Sequence, residues 1–133
     1  MATIKKTTKR NLLTRQQRSY LLSSALEGGS NYWYILPTET MTTIRKYKVA
    51  GEDNYVEDII LKAVKAGESL AINDYESEEE ELGCLNKESI KKGEEIMFKD
   101  YKSHFADILN ENFDATTGDV WFQLCVLGDI IYG

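Results

Sequence analysis

A chain of 133 residues with a net charge of −6 and 29% charged residues has the length of one domain, enough to bury a core without staples. No apolar run approaches the roughly 18–20 residues that cross a bilayer. The basic, polar start lacks the apolar segment of about 7–15 residues that marks a secretory signal, so reduced thiols in a cytoplasm are expected.

Charge is unevenly spread. Residues 1–18 hold six of the sixteen Lys and Arg and no acid, which leaves an acidic body. Such a body disfavours general nucleic-acid binding, which depends on neutralising phosphates. Residues 1–11 read as a basic, flexible arm and residues 12–133 as a single domain.

A first helix is predicted from Thr14, where Thr14 and Gln17 have the spacing of a capping box. Tyr20, Leu21, Ala25 and Leu26 give it an apolar stripe, and Gly28-Gly29 is expected to stop it with a left-handed glycine. Tyr32 to Leu36 reads as a strand ended by Pro37, and Thr42 to Val49 as a second strand. Residues 50–54 form a turn. Over residues 55–66, Val56, Ile59, Ile60, Ala63 and Val64 follow helical spacing, with Gly67 as the stop.

Leu70 and Ile72 alternate in a strand over Ser69 to Tyr75. Glu76, Glu78, Glu79, Glu80 and Glu81 then read as a solvated hairpin tip, and Leu82 to Leu85 as the returning strand. Asn86 caps a helix from Lys87 that Gly93 is expected to kink or split. The last helix starts near Asp114, shows Val120, Trp121, Leu124 and Cys125 on one face, and ends at Gly128 before a short extended tail. About four helices and a four- to five-stranded, mainly antiparallel sheet make the expected class α+β, since there is no regular βαβ alternation.

Little in the sequence supports catalysis, and the protein reads as a non-enzyme without a cofactor. His104 is the only histidine, in the middle of an amphipathic helix, with no nucleophile turn in the chain. One histidine and two cysteines forty-one residues apart, Cys84 and Cys125, do not make a zinc site, and the glutamate run lacks the pattern of a calcium loop, so no metal is expected. No glycine-rich phosphate loop occurs.

What remains is the run Glu27-Gly28-Gly29-Ser30-Asn31-Tyr32-Trp33-Tyr34, which gathers three of the fourteen aromatics. In an extended chain Tyr32 and Tyr34 share one side and Trp33 takes the other. The rings either pack in a core or subunit seam, or offer a stacking surface for a base. Arg45, Lys46 and Lys48 on the next predicted strand are candidate phosphate contacts.

The block Ala25-Leu26-Glu27-Gly28-Gly29 with Tyr32-Trp33, and a C-terminal stretch from Phe113-Asp114-Ala115 through Gln123 to Gly128-Asp129-Ile130-Ile131-Tyr132-Gly133, carry a resemblance. Over residues 12–133 the chain resembles a family of short, uncharacterised phage and prophage proteins. The resemblance implies a phage accessory protein in the cytoplasm of a bacterial host, and brings no family activity. Small acidic phage proteins of this size counter host defence either by binding a defence protein or by sequestering a nucleotide-derived immune signal.

The leading expectation is sequestration, without cleavage, of a cyclic nucleotide or a cyclic ADP-ribose type of signal. Tyr32, Trp33 or Tyr34 would stack on the base, Asn31 would read a base edge or ribose, Glu27 would accept from ribose hydroxyls, and Arg45, Lys46 or Lys48 would meet phosphate. One alternative is an inhibitor that presents Glu76, Glu78, Glu79, Glu80 and Glu81 to a basic defence protein, in imitation of nucleic acid. Another is an assembly protein without a ligand. A homo-oligomer, with a dimer as the simplest case, is expected from the apolar C-terminal stretch and the strand edges near Pro37.

Overall fold

The computed structural model describes residues 12–133; the predicted basic arm, residues 1–11, lies outside the described residues. The fold is α+β: the described residues form six helices and a three-stranded antiparallel sheet in place of the expected four helices and four or five strands.

Helix α1 (Arg15–Ser24) starts at Thr14, whose hydroxyl accepts from the Gln17 amide while the Gln17 side chain accepts from the Thr14 amide. It runs on into a wider π turn over Ala25–Gly29, closed by Ser30 N–H donating to the Ala25 carbonyl at 2.8 Å. Here the glycine pair departs from expectation. Neither Gly28 nor Gly29 has a positive φ. Gly29 is required for proximity, because a Cβ there would run into the carbonyl of Ala115.

Strand β1 is only Tyr34–Ile35, shorter than predicted, since Tyr32 and Trp33 belong to a turn closed by Trp33 N–H on the Ser30 carbonyl. Of the predicted strand over Thr42 to Val49, residues 42–45 are helix and residues 46–49 are turn and irregular chain. Helix α2 (Thr38–Arg45) follows Pro37, with Glu39 in its first turn and Arg45 in its last, the charge order a helix dipole favours. Thr40 and Ile44, four residues apart, are its buried positions, and the Thr40 hydroxyl donates to the Ala71 carbonyl at 2.7 Å. Helical spacing and this tie outweigh the β propensity of Thr42, Thr43 and Ile44.

Helix α3 (Val56–Lys65) buries Ile59, Ile60, Ala63 and Val64 as its periodicity predicts, but Val56 in its first turn is exposed and Leu61, outside the predicted face, is buried. Strand β2 (Leu70–Asp74) is central in the sheet and pairs antiparallel with β1 and with β3 (Glu81–Leu85), in the order β1-β2-β3. The glutamates from Glu76 to Glu80 form the exposed tip between β2 and β3, and Glu81 opens β3.

Helix α4 (Lys87–Asp100) is capped by Asn86 and runs unbroken through Gly93. The chain breaks later, at Tyr101, before α5 (Lys102–Leu109). Gly93 is buried, and a Cβ there would lie 2.6 Å from the backbone of Cys125. Its role is close helix packing rather than a kink.

Helix α6 (Ala115–Leu127) is capped by Asp114, which accepts from the Thr117 amide; that bond lowers the Asp114 pKa. Gly128 ends the helix in the left-handed conformation, φ 77°. The sequence shows one apolar face, yet Trp121, Phe122, Gln123, Leu124, Cys125 and Val126 are all buried, so α6 is enclosed on nearly every side. It packs against α1, the π turn, α4, α5 and β3. The close-packed glycines converge on it: Gly29 against Ala115, Gly83 against Val126, Gly93 against Cys125, and Gly118 on α6 itself against Ser24 and Leu21.

Gly93→Ala is expected to destabilise the protein by about 2–3 kcal/mol, because backbone blocks the new methyl, even though alanine is the better helix former. Gly28, with nothing within 4 Å of a built Cβ, is expected to accept alanine at no cost or with a gain of up to about 1 kcal/mol. Urea unfolding of the two variants checks the contrast; equal effects would mean that α6 does not sit against Gly93.

Candidate functional site

Two polar clusters are built against α6, and a groove opens beside the second. The first cluster contains the aromatic run. Asp119 on α6 accepts four hydrogen bonds. Its Oδ1 takes the Ser30 hydroxyl at 2.7 Å and the Trp33 indole N–H at 2.8 Å, and its Oδ2 takes the Tyr32 hydroxyl at 2.8 Å and the Gln123 amide at 3.1 Å. Gln123, one turn on and 1% exposed, also donates to the Tyr132 carbonyl and accepts from the backbone N–H groups of Ile131 and Tyr132. Trp33 stacks on Tyr132 with ring centroids 5.3 Å apart and planes 8° from parallel, and also meets Phe122.

These bonds join the two ends of the described chain. The turn after α1 and the C-terminal tail both fasten onto one face of α6 through Asp119 and Gln123. The two end motifs singled out in the sequence are thereby one cluster in space. Sequence reasoning missed Asp119 as its centre; the available signal was a carboxylate four residues before a glutamine on a helix with an apolar stretch.

Each candidate residue has a definite place. Trp33 is 2% exposed, with one face against Tyr132. Tyr34 is half-buried, its hydroxyl donates to the Leu26 carbonyl, and burial pushes its pKa up to about 12. Tyr32 keeps 46% of its surface exposed; partial burial of its hydroxyl end, with the bond to Asp119, pushes its pKa to about 12. Asn31 and Glu27 are exposed, and Glu27 accepts from the Ser23 hydroxyl.

Arg45, Lys46 and Lys48 are exposed at and just beyond the end of α2, not on a strand. That helix packs on α3 and β2, whereas the aromatic run packs on α6, so the two predicted halves of a nucleotide site belong to different parts of the fold. Glu76, Glu78, Glu79, Glu80 and Glu81 are exposed on the β2–β3 hairpin.

The second cluster is centred on Glu94 of α4, which is 2% exposed. Arg18 of α1 grips it with two bonds of 2.7 Å, and the Trp121 indole N–H donates to it at 3.0 Å. The hydrogen bond to Glu94 raises the Arg18 pKa, so the pair is a fixed ionic contact. Cys125 is buried nearby, and burial drives its thiol pKa well up, which makes it an inert packing group. His104 is half-buried on α5 with its Nδ1 unpartnered. Among the described residues no group of three His, Cys, Asp or Glu is placed to hold a metal ion, and no helix is long and apolar enough to cross a membrane.

Beside the Arg18–Glu94 pair, α1, α3 and α4 enclose a groove of about 870 Å³. Its apolar wall includes Leu13, Leu61, Val64 and Ile90, and its cations come from Arg15, Arg18, Lys65, Lys87 and Lys91. The acids that line it are Glu94 and Glu95. This volume lies in the range of ligand clefts. Sequence reading missed it because its lining comes from three separate helices.

Asp119→Ala is expected to cost about 3–5 kcal/mol, since it strands the Trp33 N–H and the Ser30 hydroxyl in the interior. Tyr32→Phe removes a bond at the surface and is expected to cost less than about 1 kcal/mol. Chemical denaturation, with near-ultraviolet circular dichroism to follow Trp33, checks the pair. Similar losses in the two variants would show that Asp119 does not organise the cluster.

Comparison with protein-family models, with curated proteins and with solved structures finds no match to this chain.

Proposed function

We propose that the chain sequesters a small nucleotide-derived signal without cleaving it, as a phage protein that counters host defence, and that it does so in the groove between α1, α3 and α4. One observation carries this reading. On a chain with a net charge of −6, this groove gathers five cations and two acids around an aliphatic wall. That combination suits a ligand with a negative group and an apolar or flat body. The aromatic run is the weaker seat, because Trp33 is already stacked on Tyr132 and its N–H is taken by Asp119.

Ligand binding raises stability by mass action, by about 2.7 kcal/mol at a hundredfold excess over Kd. For a domain of this size that is a rise in Tm on the order of 10 °C. Thermal melts with cyclic mononucleotides, cyclic dinucleotides and cyclic ADP-ribose are expected to show such a rise with at least one of them. The ligand should be recovered intact after denaturation. No shift with any member of the panel, or recovery of a cleaved product, would overturn the reading.

A second reading, an acidic inhibitor of a basic defence protein, is favoured by the exposed glutamate hairpin, whose side chains form no ion pair among the described residues. The charge of the hairpin is felt at the C-terminal tail: burial first, then Asp74, Glu80 and Glu76, raise the pKa of Tyr132. This reading expects a host partner whose capture weakens with salt and is lost when Glu78, Glu79 and Glu80 are changed to Gln. Capture that tolerates both changes would exclude it.

A further inference from the structure

Resting on the groove reading above, we infer that the groove selects an organic phosphate bearing two negative charges, with Lys65, Lys87 and Lys91 as its anion contacts. The argument is a charge balance. Of the five cations at the groove, Arg18 is held by Glu94 through two bonds of 2.7 Å. Arg15 lies 3.3 Å from the carboxylate of Asp58. Neither guanidinium is free to give its full charge to a ligand.

Lys65, Lys87 and Lys91 form no ion pair among the described residues, and residues 1–11 contain no acid that could supply one. Of the two acids, Glu94 is consumed by Arg18, which leaves Glu95. Three lysines against one glutamate leave a residual charge of +2, which a dianion balances.

The lysines come from two helices and line the same groove. Lys87 and Lys91 are four residues apart on the first turns of α4 and therefore share a face. Lys65 stands on the last turn of α3, and all three line the one groove. Each ammonium offers three rotatable donors, so a phosphate can be met from two helices at once. Leu61, Val64 and Ile90 supply the wall for the uncharged body. A cyclic mononucleotide, with one charge, fills this seat less well than a monoester phosphate or a molecule with two phosphodiesters.

The test is calorimetric titration at pH 7.5, where a phosphate monoester is largely dianionic. The probes are AMP, 3′,5′-cyclic AMP, adenosine and octyl phosphate, titrated into the full chain and into Lys87→Gln/Lys91→Gln. AMP is expected to bind at least tenfold more tightly than cyclic AMP or adenosine. The double variant should keep the wild-type Tm, because both lysines are exposed, and should lose at least tenfold in AMP affinity.

If octyl phosphate binds in a lysine-dependent way, while AMP does not and the thermal melts show no shift with the cyclic nucleotides or cyclic ADP-ribose, the dianion seat stands and the nucleotide reading falls. If AMP, cyclic AMP and adenosine bind alike, or the double variant binds AMP as wild type does, the dianion seat is overturned while the nucleotide reading survives. Binding by none of the four overturns the dianion seat, and the nucleotide reading falls with it when the thermal melts with cyclic dinucleotides and cyclic ADP-ribose also show no shift.

Discussion

A helix enclosed on nearly every side must have every polar group answered from within the protein, and α6 imposes that condition on this fold. Its buried or half-buried polar side chains point to two sides of the molecule. On one, Asp119 and Gln123 demand donors and acceptors, and the turn after α1 and the C-terminal tail provide them. On the other, the Trp121 indole needs an acceptor, and α4 supplies Glu94. Glu94 then needs a cation, which α1 supplies as Arg18. Removing one partner of such a buried pair costs about 3–5 kcal/mol, so the position of α1 against α4 is fixed by charge as well as by packing.

The glycines express the same constraint sterically. Gly29, Gly83 and Gly93 lie where other segments touch α6, and Gly118 lies where α6 touches α1. Helix axes packed through ordinary side chains stand about 8–10 Å apart. Replacing a side chain by hydrogen at the crossing brings backbones closer, and it shortens the reach needed for Glu94 to meet Trp121 and Arg18. Close approach and polar satisfaction are therefore coupled.

What the sequence made legible was local. The capping box at Thr14, the cap at Asn86, the stop at Gly128 and, apart from exposed Val56, the apolar stripe of α3 each depend on residues within one or two turns of one another, and each has its expected form. The errors fall where a distant segment decided the outcome. Thr42 to Val49 has strand-like residues, but Ala71 and the core draw Thr40 and Ile44 to helical spacing. Gly28-Gly29 and Gly93 look like breakers in isolation, and only the course of α6 shows that Gly29 and Gly93 are contact surfaces. The aromatic run was rightly singled out as unusual. Its partners Asp119, Phe122 and Tyr132 lie about ninety residues away, beyond any local pattern.

That separation also bears on where a ligand can act. A binding surface needs side chains with unused capacity, and in the aromatic cluster the capacity is largely spent. Trp33 has given its N–H and one face, Tyr34 its hydroxyl, and all four bonds of Asp119 are internal. The groove on the other side of α6 has the opposite character. Its arginines pair with Asp58 and Glu94, while its lysines form no ion pair among the described residues. Paired arginines beside unpaired lysines suit an anion site, because the pairs add little net charge of their own and the lysine donors stay available. On the proposed reading, the unusual residues in the sequence build the scaffold, and ordinary lysines on two separate helices hold the anion.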